Sequence, residues 1–164
     1  METHMIQTKP GFRFAASRHH FLLLVFFSFG ASAAPFAYIT NQASNNVSVI
    51  DLATNKTVTT IPVGKAPAGV AVNSKIKKAF VTNAEGGDVS VIDITTNKVI
   101  DTIPTGEGAV GLAVSADGKK LYVADWFKGR ILVFDGVTHK PISTIPTGKT
   151  PTGVAIRADG SRIY

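Results

Sequence analysis

Short runs of apolar residues alternate along the chain with intervals of turn-forming residues. In one stretch the runs read GLAV (111–114), KLYVA (120–124), RILVFD (130–135) and PISTI (141–145). Val, Ile, Thr, Tyr and Phe dominate the runs, whereas Gly, Asp, Asn and Pro are concentrated between them, a composition typical of strands and turns. None of these runs shows a 3.6-residue apolar period long enough for a helix. The pattern predicts an all-β fold of short antiparallel strands.

This four-strand pattern repeats every 42 residues, without insertion or deletion. The repeated positions hold an aromatic residue (Tyr38, Phe80, Tyr122, Tyr164), an aspartate (Asp51, Asp93, Asp135) and a glycine (Gly69, Gly111, Gly153). Such a period indicates a repeat architecture, and four short antiparallel strands per repeat are typical of a propeller blade. We therefore predict a β-propeller over residues 34–164. Its strands are expected within 36–61, 69–103 and 111–145, with a partial unit at 153–164.

The repeated aspartates and glycines have structural explanations. Each aspartate ends the third strand of its unit, where a carboxylate can accept hydrogen bonds from the amides of the next turn, with Thr54, Thr96 or Thr138 as partner. Each glycine opens the first strand, which lines the channel of a propeller, and we expect it to allow close backbone approach. The third and fourth strands are apolar on both faces, which predicts that they are buried between neighbouring units.

The N-terminal segment predicts a secretory signal peptide. Lys9, Arg13 and Arg18 precede the apolar run FLLLVFFSF (21–29), and the small residues Ala31-Ser32-Ala33 follow. Basic, apolar and small residues in this order are the three parts of such a signal. The apolar run is too short for a membrane-spanning helix, which needs roughly 20 residues. We expect cleavage after Ala33, export to the periplasm or cell surface, and no transmembrane span afterwards.

Several motifs resemble those of a known family. They read YITN (38–41), FVTN (80–83), a degraded YVAD (122–125), VSVIDLATNKTVTTIPVG (47–64), VSVIDITTNKVIDTIPTG (89–106), PAGVA (67–71) and PTGVA (151–155). The chain resembles the YVTN family of β-propeller repeat proteins over residues 36–164. The resemblance implies the propeller fold but little about chemistry, because similar propellers include secreted proteins of unassigned role, lactonases and companions of quinoprotein dehydrogenases.

Three units are fewer than the roughly four to eight blades of a typical propeller. We expect that the chain is a truncated member, since it stops at Tyr164 within a strand of the repeat. Self-association is an alternative, in which two chains of three blades form a six-bladed ring and residues 153–156 of one chain supply the missing first strand of the other. An open, solenoid-like stack is the third alternative.

Composition argues against most catalytic and metal chemistry. The chain has no cysteine, and residues 34–164 hold one histidine, His139, which stands in a turn and is expected to be a solvated surface residue. The usual zinc, copper and covalent haem ligand sets are therefore missing, and no nucleophile-elbow or P-loop motif occurs. We expect no catalytic residue, no metal site and no cofactor. The repeated aspartates stand singly, without the oxygen spacing of a calcium loop.

The amount and distribution of charge do not favour nucleic-acid binding. The whole chain has 17 Lys and Arg against 11 Asp and Glu, and removing residues 1–33 takes away three bases and one acid, which leaves 14 against 10. The bases are scattered through the turns rather than arranged in a stripe with aromatic residues, so nucleic-acid binding is not expected.

The copies differ most in the hairpin between the second and third strands. These hairpins read NQASNN (41–46), NAEGGD (83–88) and DWFKGR (125–130), and the last contains the one tryptophan of the chain. Exposed aromatic residues beside bases are typical of binding surfaces. The alternative is that Trp126 folds back as a cap over the neighbouring unit. Links between units should lie on the same face, and the candidate binding residues are Trp126, Phe127, Lys128, Arg130, Lys65, Glu107 and Lys149.

The sequence thus favours an exported β-propeller that binds or scaffolds a partner without catalytic activity of its own. The mildly basic loop face suggests an unknown protein or an anionic ligand as the partner. The alternatives are an enzyme-type propeller, lactonase-like or associated with quinoprotein dehydrogenases, and a non-functional fragment of a longer propeller.

Overall fold

A computed structural model describes residues 35–164, and the segment predicted to be a signal peptide lies outside the described residues. The described part contains eleven strands and one short 3₁₀ turn, Gln42–Ser44. The strands are β1 (Phe36–Asn41), β2 (Asn46–Asp51), β3 (Lys56–Pro62), β4 (Pro67–Asn73), β5 (Lys78–Asn83), β6 (Asp88–Asp93), β7 (Lys98–Pro104), β8 (Ala109–Val114), β9 (Lys120–Asp125), β10 (Arg130–Asp135) and β11 (Pro141–Pro146). Over residues 35–164 there is no helix long and apolar enough to cross a membrane.

The strands form three sheets, and every neighbouring pair is antiparallel. The first sheet has the order β1-β2-β3, the second β4-β5-β6-β7 and the third β8-β9-β10-β11. Strands that are adjacent in sequence are therefore adjacent in the sheet, as in the blade of a propeller. This confirms the all-β fold and the four-strand unit, with the first sheet lacking a strand equivalent to β4 and β8. Residues 153–164 contribute an isolated bridge between Ile156 and Ile163.

Each sheet packs face to face against the next, and the second and third strands of a unit supply most of the core. One cluster joins the second and third sheets, with Phe80 and Val91 facing Leu121 and Val123, all fully buried. A second cluster joins the first and second sheets. Because these central strands are covered on both faces, they read as nearly continuous apolar runs rather than alternating ones.

The fourth strand of each unit departs from expectation, because it is largely exposed. In β7 only Ile103 is buried, and β11 is exposed throughout. The prediction that third and fourth strands are both buried on two faces is therefore wrong for the fourth. The physical reason is its place at the outer edge of the sheet, where a β-bulge in each copy disrupts the pairing and the neighbouring sheet no longer covers it.

The motif seen as YITN and FVTN connects neighbouring sheets. The hydroxyl of Thr40 donates to the carbonyl oxygen of Ala68 at 3.0 Å, and the hydroxyl of Thr82 donates to that of Val110 at 2.5 Å. Both acceptors lie in the first strand of the next unit. In the third copy Ala124 stands at this position and has no hydroxyl, so the degraded motif loses a hydrogen bond between units.

The glycines that open the first strands lie where backbones approach closely. A Cβ added to Gly69 would lie 2.5 Å from the carbonyl oxygen of Val110, and one added to Gly111 would lie 2.0 Å from that of Thr152. Both distances are too short for any side chain. The first strands of successive units therefore converge on one another.

Candidate functional site: a cleft on the loop face

Hairpins and links from successive units meet on one face of the sheets, which we call the loop face. It comprises the β1–β2, β5–β6 and β9–β10 hairpins and the links that lead into β4 and β8. Backbone hydrogen bonds join the two kinds of loop: the amide of Ala84 donates to Ala66, that of Gly108 to Ala84, and that of Trp126 to Gly108, at 2.8–3.0 Å. This chain of bonds runs across the second and third units and holds the loops in place.

The loop face contains a cleft of about 520 Å³, which we call the loop-face cleft. Residues from all three units line it: Gln42, Lys65, Ala84, Glu85, Glu107, Gly108, Val110, Trp126 and Phe127. The lining combines aromatic and aliphatic groups with the charged side chains of Lys65, Glu85 and Glu107. A concave site with an apolar floor and a few polar groups is the usual form of a ligand-binding site.

Phe127 rests on Gly108, and this contact shapes one end of the cleft. A Cβ on Gly108 would lie 2.6 Å from Cδ2 of Phe127, and the φ angle of Gly108 is +91°. Only glycine combines this backbone conformation with room for the ring. The equivalent positions in the other links hold Ala66 and Thr150, and the hairpin position above Ala66 holds Glu85 in place of phenylalanine. The glycine and the ring therefore occur together.

The exposure of Trp126 lies between the two alternatives that the sequence left open, an exposed loop tip and a buried cap. Its side chain is 37% exposed, whereas Phe127 is 70% exposed. Trp126 is thus neither a fully solvated loop tip nor a buried cap. It forms a wall of the cleft with one part of the indole open to solvent, so a ligand could stack against it.

The charged groups of the cleft do not act independently. Lys65 Nζ lies 3.0 Å from Glu85 Oε2, and both side chains are more than half exposed. The hydrogen bond to Glu85, its charge and, to a smaller extent, the charge of Glu107 raise the pKa of Lys65. Glu107, which is exposed, has no ion-pair partner within 4.0 Å among residues 35–164. Because Lys65 forms its ion pair with Glu85, Glu107 is the charged residue of the lining without an ion-pair partner in the described part of the chain.

The other bases predicted for the site lie outside the cleft lining. Arg130 Nε donates to Asp125 Oδ2 at 2.9 Å, and Asp125 is only 2% exposed, so this pair closes the base of its hairpin. The backbone amide of Lys128 donates to Asp125 Oδ1 at 3.0 Å. Lys149 is exposed on the link that follows β11. The structure thus brings Trp126, Phe127, Lys65 and Glu107 together in the lining, whereas Arg130 and Lys149 lie outside it. Lys128 also lies outside the lining, but its Nζ is 3.8 Å from the position of a Cβ added to Gly106, the residue before Glu107. The role of these bases in binding stays a prediction.

Sequence reasoning missed Gln42, Glu85 and Gly108. Gln42 and Glu85 stand at the positions equivalent to Trp126 and Phe127, so the repeat register could have found them. Gly108 could have been found as the one glycine at a link position that is alanine or threonine in the other copies.

The opposite side of the sheets, the turn face, carries the repeated aspartates. Oδ1 of Asp51, Asp93 and Asp135 each accepts hydrogen bonds from the amides two and three residues later, at 2.7–3.3 Å. The amides of Thr95 and Thr96 lower the pKa of Asp93, and those of Thr138 and Val137 lower the pKa of Asp135. These carboxylates point into their own turns and not into a ligand site.

The expectation that His139 is a solvated surface residue is wrong, because its side chain is only 11% exposed. Nδ1 contacts a carboxylate oxygen of Asp101, Nε2 lies 3.2 Å from Nζ of Lys78, and Phe80 meets the ring edge-on at a centroid distance of 6.2 Å. The hydrogen bond from His139 is the main cause of a lowered pKa of Asp101. At the equivalent interface Tyr38 Oη donates to Asn97 Oδ1 at 3.1 Å. The turn residue therefore packs on the aromatic residue of the preceding unit.

Fold and cleft together define a β-propeller with a loop-face site. Residues 31–163 match the family model described as "Cytochrome D1 heme domain", and the chain belongs to that family. No protein among those with curated descriptions matches.

Solved structures show the same fold. The hydrazine synthase of Kuenenia stuttgartiensis superposes with a TM-score of 0.73 and 30% identity over 78% of this chain and 37% of that one. Dihydro-heme d1 dehydrogenase NirN superposes with a TM-score of 0.60 and 19% identity, over 81% of this chain and 27% of that one. Apo AztD from Citrobacter koseri superposes with a TM-score of 0.61 and 18% identity, over 74% of this chain and 34% of that one. The chain therefore spans about a third of the length of these proteins.

The family description names a haem, but the described residues do not fit one at the loop face. Proteins bind haem iron through His, Cys, Met or Tyr. Within residues 35–164 the histidine is His139, whose two ring nitrogens already have partners, and Tyr38 is bonded to Asn97. The other tyrosines, Tyr122 and Tyr164, lie outside the lining of the loop-face cleft. None of the residues lining the loop-face cleft is of a haem-ligating type. The described part of the chain also holds no group of three or more His, Cys, Asp or Glu placed to bind a metal ion.

Proposed function

We propose that this chain is the ligand-binding part of an exported β-propeller and that it binds through the loop-face cleft without catalysing a reaction. The observation that carries the proposal is the pairing of Trp126 and Phe127 at one end of a cleft that three successive units build. Large aromatic side chains that remain partly exposed beside a concave surface are typical of binding sites. Within residues 35–164 the lining contains no hydroxyl, thiol or imidazole group, and of its ionisable side chains, Lys65, Glu85 and Glu107, the first two are paired with each other.

We also infer that the repeat is of the YVTN type. Support comes from the separate tasks of the motif residues: Thr40 and Thr82 bond to the next unit, and Asn83 bonds within its own hairpin through Asp88 and Ser90. Export is part of the same proposal and rests on the basic, apolar and small segments within residues 1–33. N-terminal sequencing of the secreted protein should begin at Ala34; an intact Met1 or Met5 on a cytoplasmic product would contradict export.

The experiment for the cleft uses Trp126 as its own probe, since the chain has no other tryptophan. Small-molecule and peptide ligands are titrated while the emission of Trp126 is recorded, and binding is measured independently by ligand-observed NMR. For a true ligand, the change in its NMR signals that the wild-type protein causes should disappear when the protein is the Trp126→Ala variant. The matched control is Tyr164→Ala, which removes an exposed aromatic residue outside the cleft. Ligands that bind the wild type and both variants equally would overturn the proposal.

The family match supports a second candidate, a haem-binding role like that named in the family description. Titration of haem into the protein tests it through the absorbance of the bound haem. Under our proposal no saturable, one-to-one change develops. If a saturable change develops in the wild type and is lost in the His139→Ala variant, then His139 gives up its contacts with Asp101 and Lys78 to bind iron. The second candidate would then replace the first.

A further inference from the structure

We infer that the loop-face cleft takes an organic cation, an alkylammonium or guanidinium group on a small apolar body. This inference rests on the proposed function, because it assigns a ligand class to the same cleft. The sequence suggested an anionic partner on account of the bases at the loop face. Among the described residues that line the cleft itself, however, the one base is Lys65, which is paired with Glu85, so the charge that remains in the lining is negative.

The first argument is the arrangement of charge in the lining. Lys65 forms an ion pair with Glu85 at 3.0 Å, which makes this part of the rim neutral. Arg130 is held by the buried Asp125 at 2.9 Å and lies outside the lining. Lys128 is also outside the lining and forms no ion pair within 4.0 Å among residues 35–164, with its Nζ near the backbone of Gly106. Glu107 is left as the ionised side chain without an ion-pair partner among the residues that the structure describes. A cationic group is the natural complement of a carboxylate left in this way.

The second argument is the chemistry of the aromatic residues in the lining. Indole and phenyl rings attract cations to their faces, tryptophan most strongly. Trp126 is 37% exposed and Phe127 is 70% exposed, so ring surface is accessible from the cleft. Phe127 is held over Gly108, whose missing Cβ leaves room for the ring. Two aromatic rings and one carboxylate without an ion-pair partner among residues 35–164, all in a single cleft, favour a cation over a neutral or anionic ligand.

The third argument is size and shape. A cleft of about 520 Å³ is within the range for small-molecule sites, roughly 300–1,000 Å³. Its lining includes Ala84, Gly108 and Val110, which offer an apolar surface without large side chains. We therefore expect the compact apolar body of the ligand to lie against these residues and its charged group to lie near Glu107 and the rings.

The test compares choline with its neutral isostere 3,3-dimethylbutan-1-ol, since the two differ mainly in a charged nitrogen in place of a carbon. Choline should change the emission of Trp126 in a saturable way, with a Kd about tenfold or more below that of the alcohol. Glu107→Gln should weaken choline binding by about tenfold and leave the alcohol unaffected. The matched control is Asp117→Asn, which removes one negative charge from a turn outside the cleft lining and should change neither.

Glu85→Gln sharpens the same test. It releases Lys65 from its ion pair, so Lys65 can turn to Glu107 and compete with the ligand. Choline binding should therefore weaken although Glu85 itself is not the proposed contact. Stronger choline binding in this variant would count against the charge assignment.

Two sources of such a group are distinguished by a second pair of probes. Agmatine represents a free guanidinium compound, and a blocked Gly-Arg-Gly peptide represents an arginine side chain on a protein, with the citrulline peptide as its neutral control. Tighter binding of the arginine peptide indicates a protein partner, and tighter binding of agmatine or choline indicates a free metabolite.

The outcomes separate the inference from the proposed function. If acetate, sulfate or the neutral alcohol binds at Trp126 as well as choline does, the cleft is a binding site but its ligand is not a cation. If no ligand of any class changes the emission or NMR signal in a Trp126-dependent way, both the inference and the proposed function fail.

Discussion

The turn face and the loop face of this protein are built from the same repeat but have diverged to different extents. On the turn face, Asp51, Asp93 and Asp135 make the same pair of amide hydrogen bonds in every copy. On the loop face, each hairpin is closed by a different pair of side chains. These pairs are Asn41 with Asn46, Asn83 with Asp88, and Asp125 with Arg130.

The difference shows which part of a repeat is free to change. The turn-face aspartates satisfy backbone amides, which are present in every copy whatever the side chains. The two side chains of each hairpin pair on the loop face bond to each other, so both members can change together. Asp125 with Arg130 is such a joint change, and it accompanies the two aromatic residues that form the wall of the cleft.

The largest expected effect comes from breaking the third closing pair. Arg130→Ala leaves the carboxylate of Asp125, which is 2% exposed, without its ionic partner. Because an uncompensated buried charge is costly, we expect a loss of about 2–4 kcal/mol in the free energy of unfolding, measured with denaturant.

The double variant Asp125→Asn with Arg130→Asp restores the pair seen in the second hairpin. It should recover most of the stability lost in Arg130→Ala. If the double variant is no more stable than the single one, the hairpins are not interchangeable in the way that the comparison implies.

The next effect concerns the glycine under Phe127. Gly108→Ala forces a Cβ into a position 2.6 Å from the ring and strains a residue with a φ angle of +91°. We expect a destabilisation of about 1–3 kcal/mol and a change in the emission of Trp126, since its backbone amide is bonded to Gly108.

Gly148→Ala is the matched control for this change. It lies on the next link, where an added Cβ meets nothing within 4 Å. It should leave both stability and emission almost unchanged. Equal effects of the two substitutions would show that Phe127 does not depend on Gly108.

A smaller loss is expected for Trp126→Ala. The side chain is 37% exposed, so the substitution should cost about 1–2 kcal/mol, less than the 3–5 kcal/mol that deleting a fully buried aromatic residue costs. Iodide should quench the emission of Trp126 in the wild type partially, and a bound ligand should protect it. A loss of 3–5 kcal/mol together with an emission that iodide does not quench would instead identify Trp126 as a cap.

The smallest effect is the pH dependence of the turn-face carboxylates. Hydrogen bonds from turn amides lower the folded-state pKa of Asp93 and Asp135. Their contribution to stability is therefore complete above the unfolded pKa of about 4 and is lost as the pH falls through the lower folded-state value. Unfolding followed between pH 7 and pH 2 should show this loss.

Asp93→Asn keeps a side-chain oxygen that can accept the amide hydrogen bonds but does not titrate at this position. This variant should lose less stability than the wild type over the acid range, by a margin of a few degrees in Tm or less. Identical acid profiles would show that these carboxylates contribute nothing that depends on their charge.

Most of the fold could be predicted from the sequence because it depends on local and repeated features. Strand order follows from short turns, since strands joined by tight turns become antiparallel neighbours. The runs predicted at 120–124 and 130–135 correspond to β9 (Lys120–Asp125) and β10 (Arg130–Asp135). The exposure of the fourth strands was not predicted, because an apolar pattern on an edge strand looks the same as one in the middle of a sheet.

Little of the cleft could be predicted from the sequence. The sequence drew attention to Trp126 and Phe127 because they break the repeat, and the structure places both in the cleft lining. The partners of the bases could not be predicted. Nothing in the order of residues shows that Lys65 reaches Glu85 on another loop, or that Arg130 turns to Asp125 at the end of its own hairpin.

The sequence by itself determined the repeat, the strands and the glycines and aspartates that every copy needs, because these respond to the local backbone and recur at a fixed interval. Tertiary structure alone decided the electrostatics of the loop face and the burial of His139. Both depend on how far apart loops of different units lie, and that distance is set by the packing of one sheet on the next. The ligand class that we propose follows from that packing, which leaves Glu107 as the unpaired charge beside two aromatic rings.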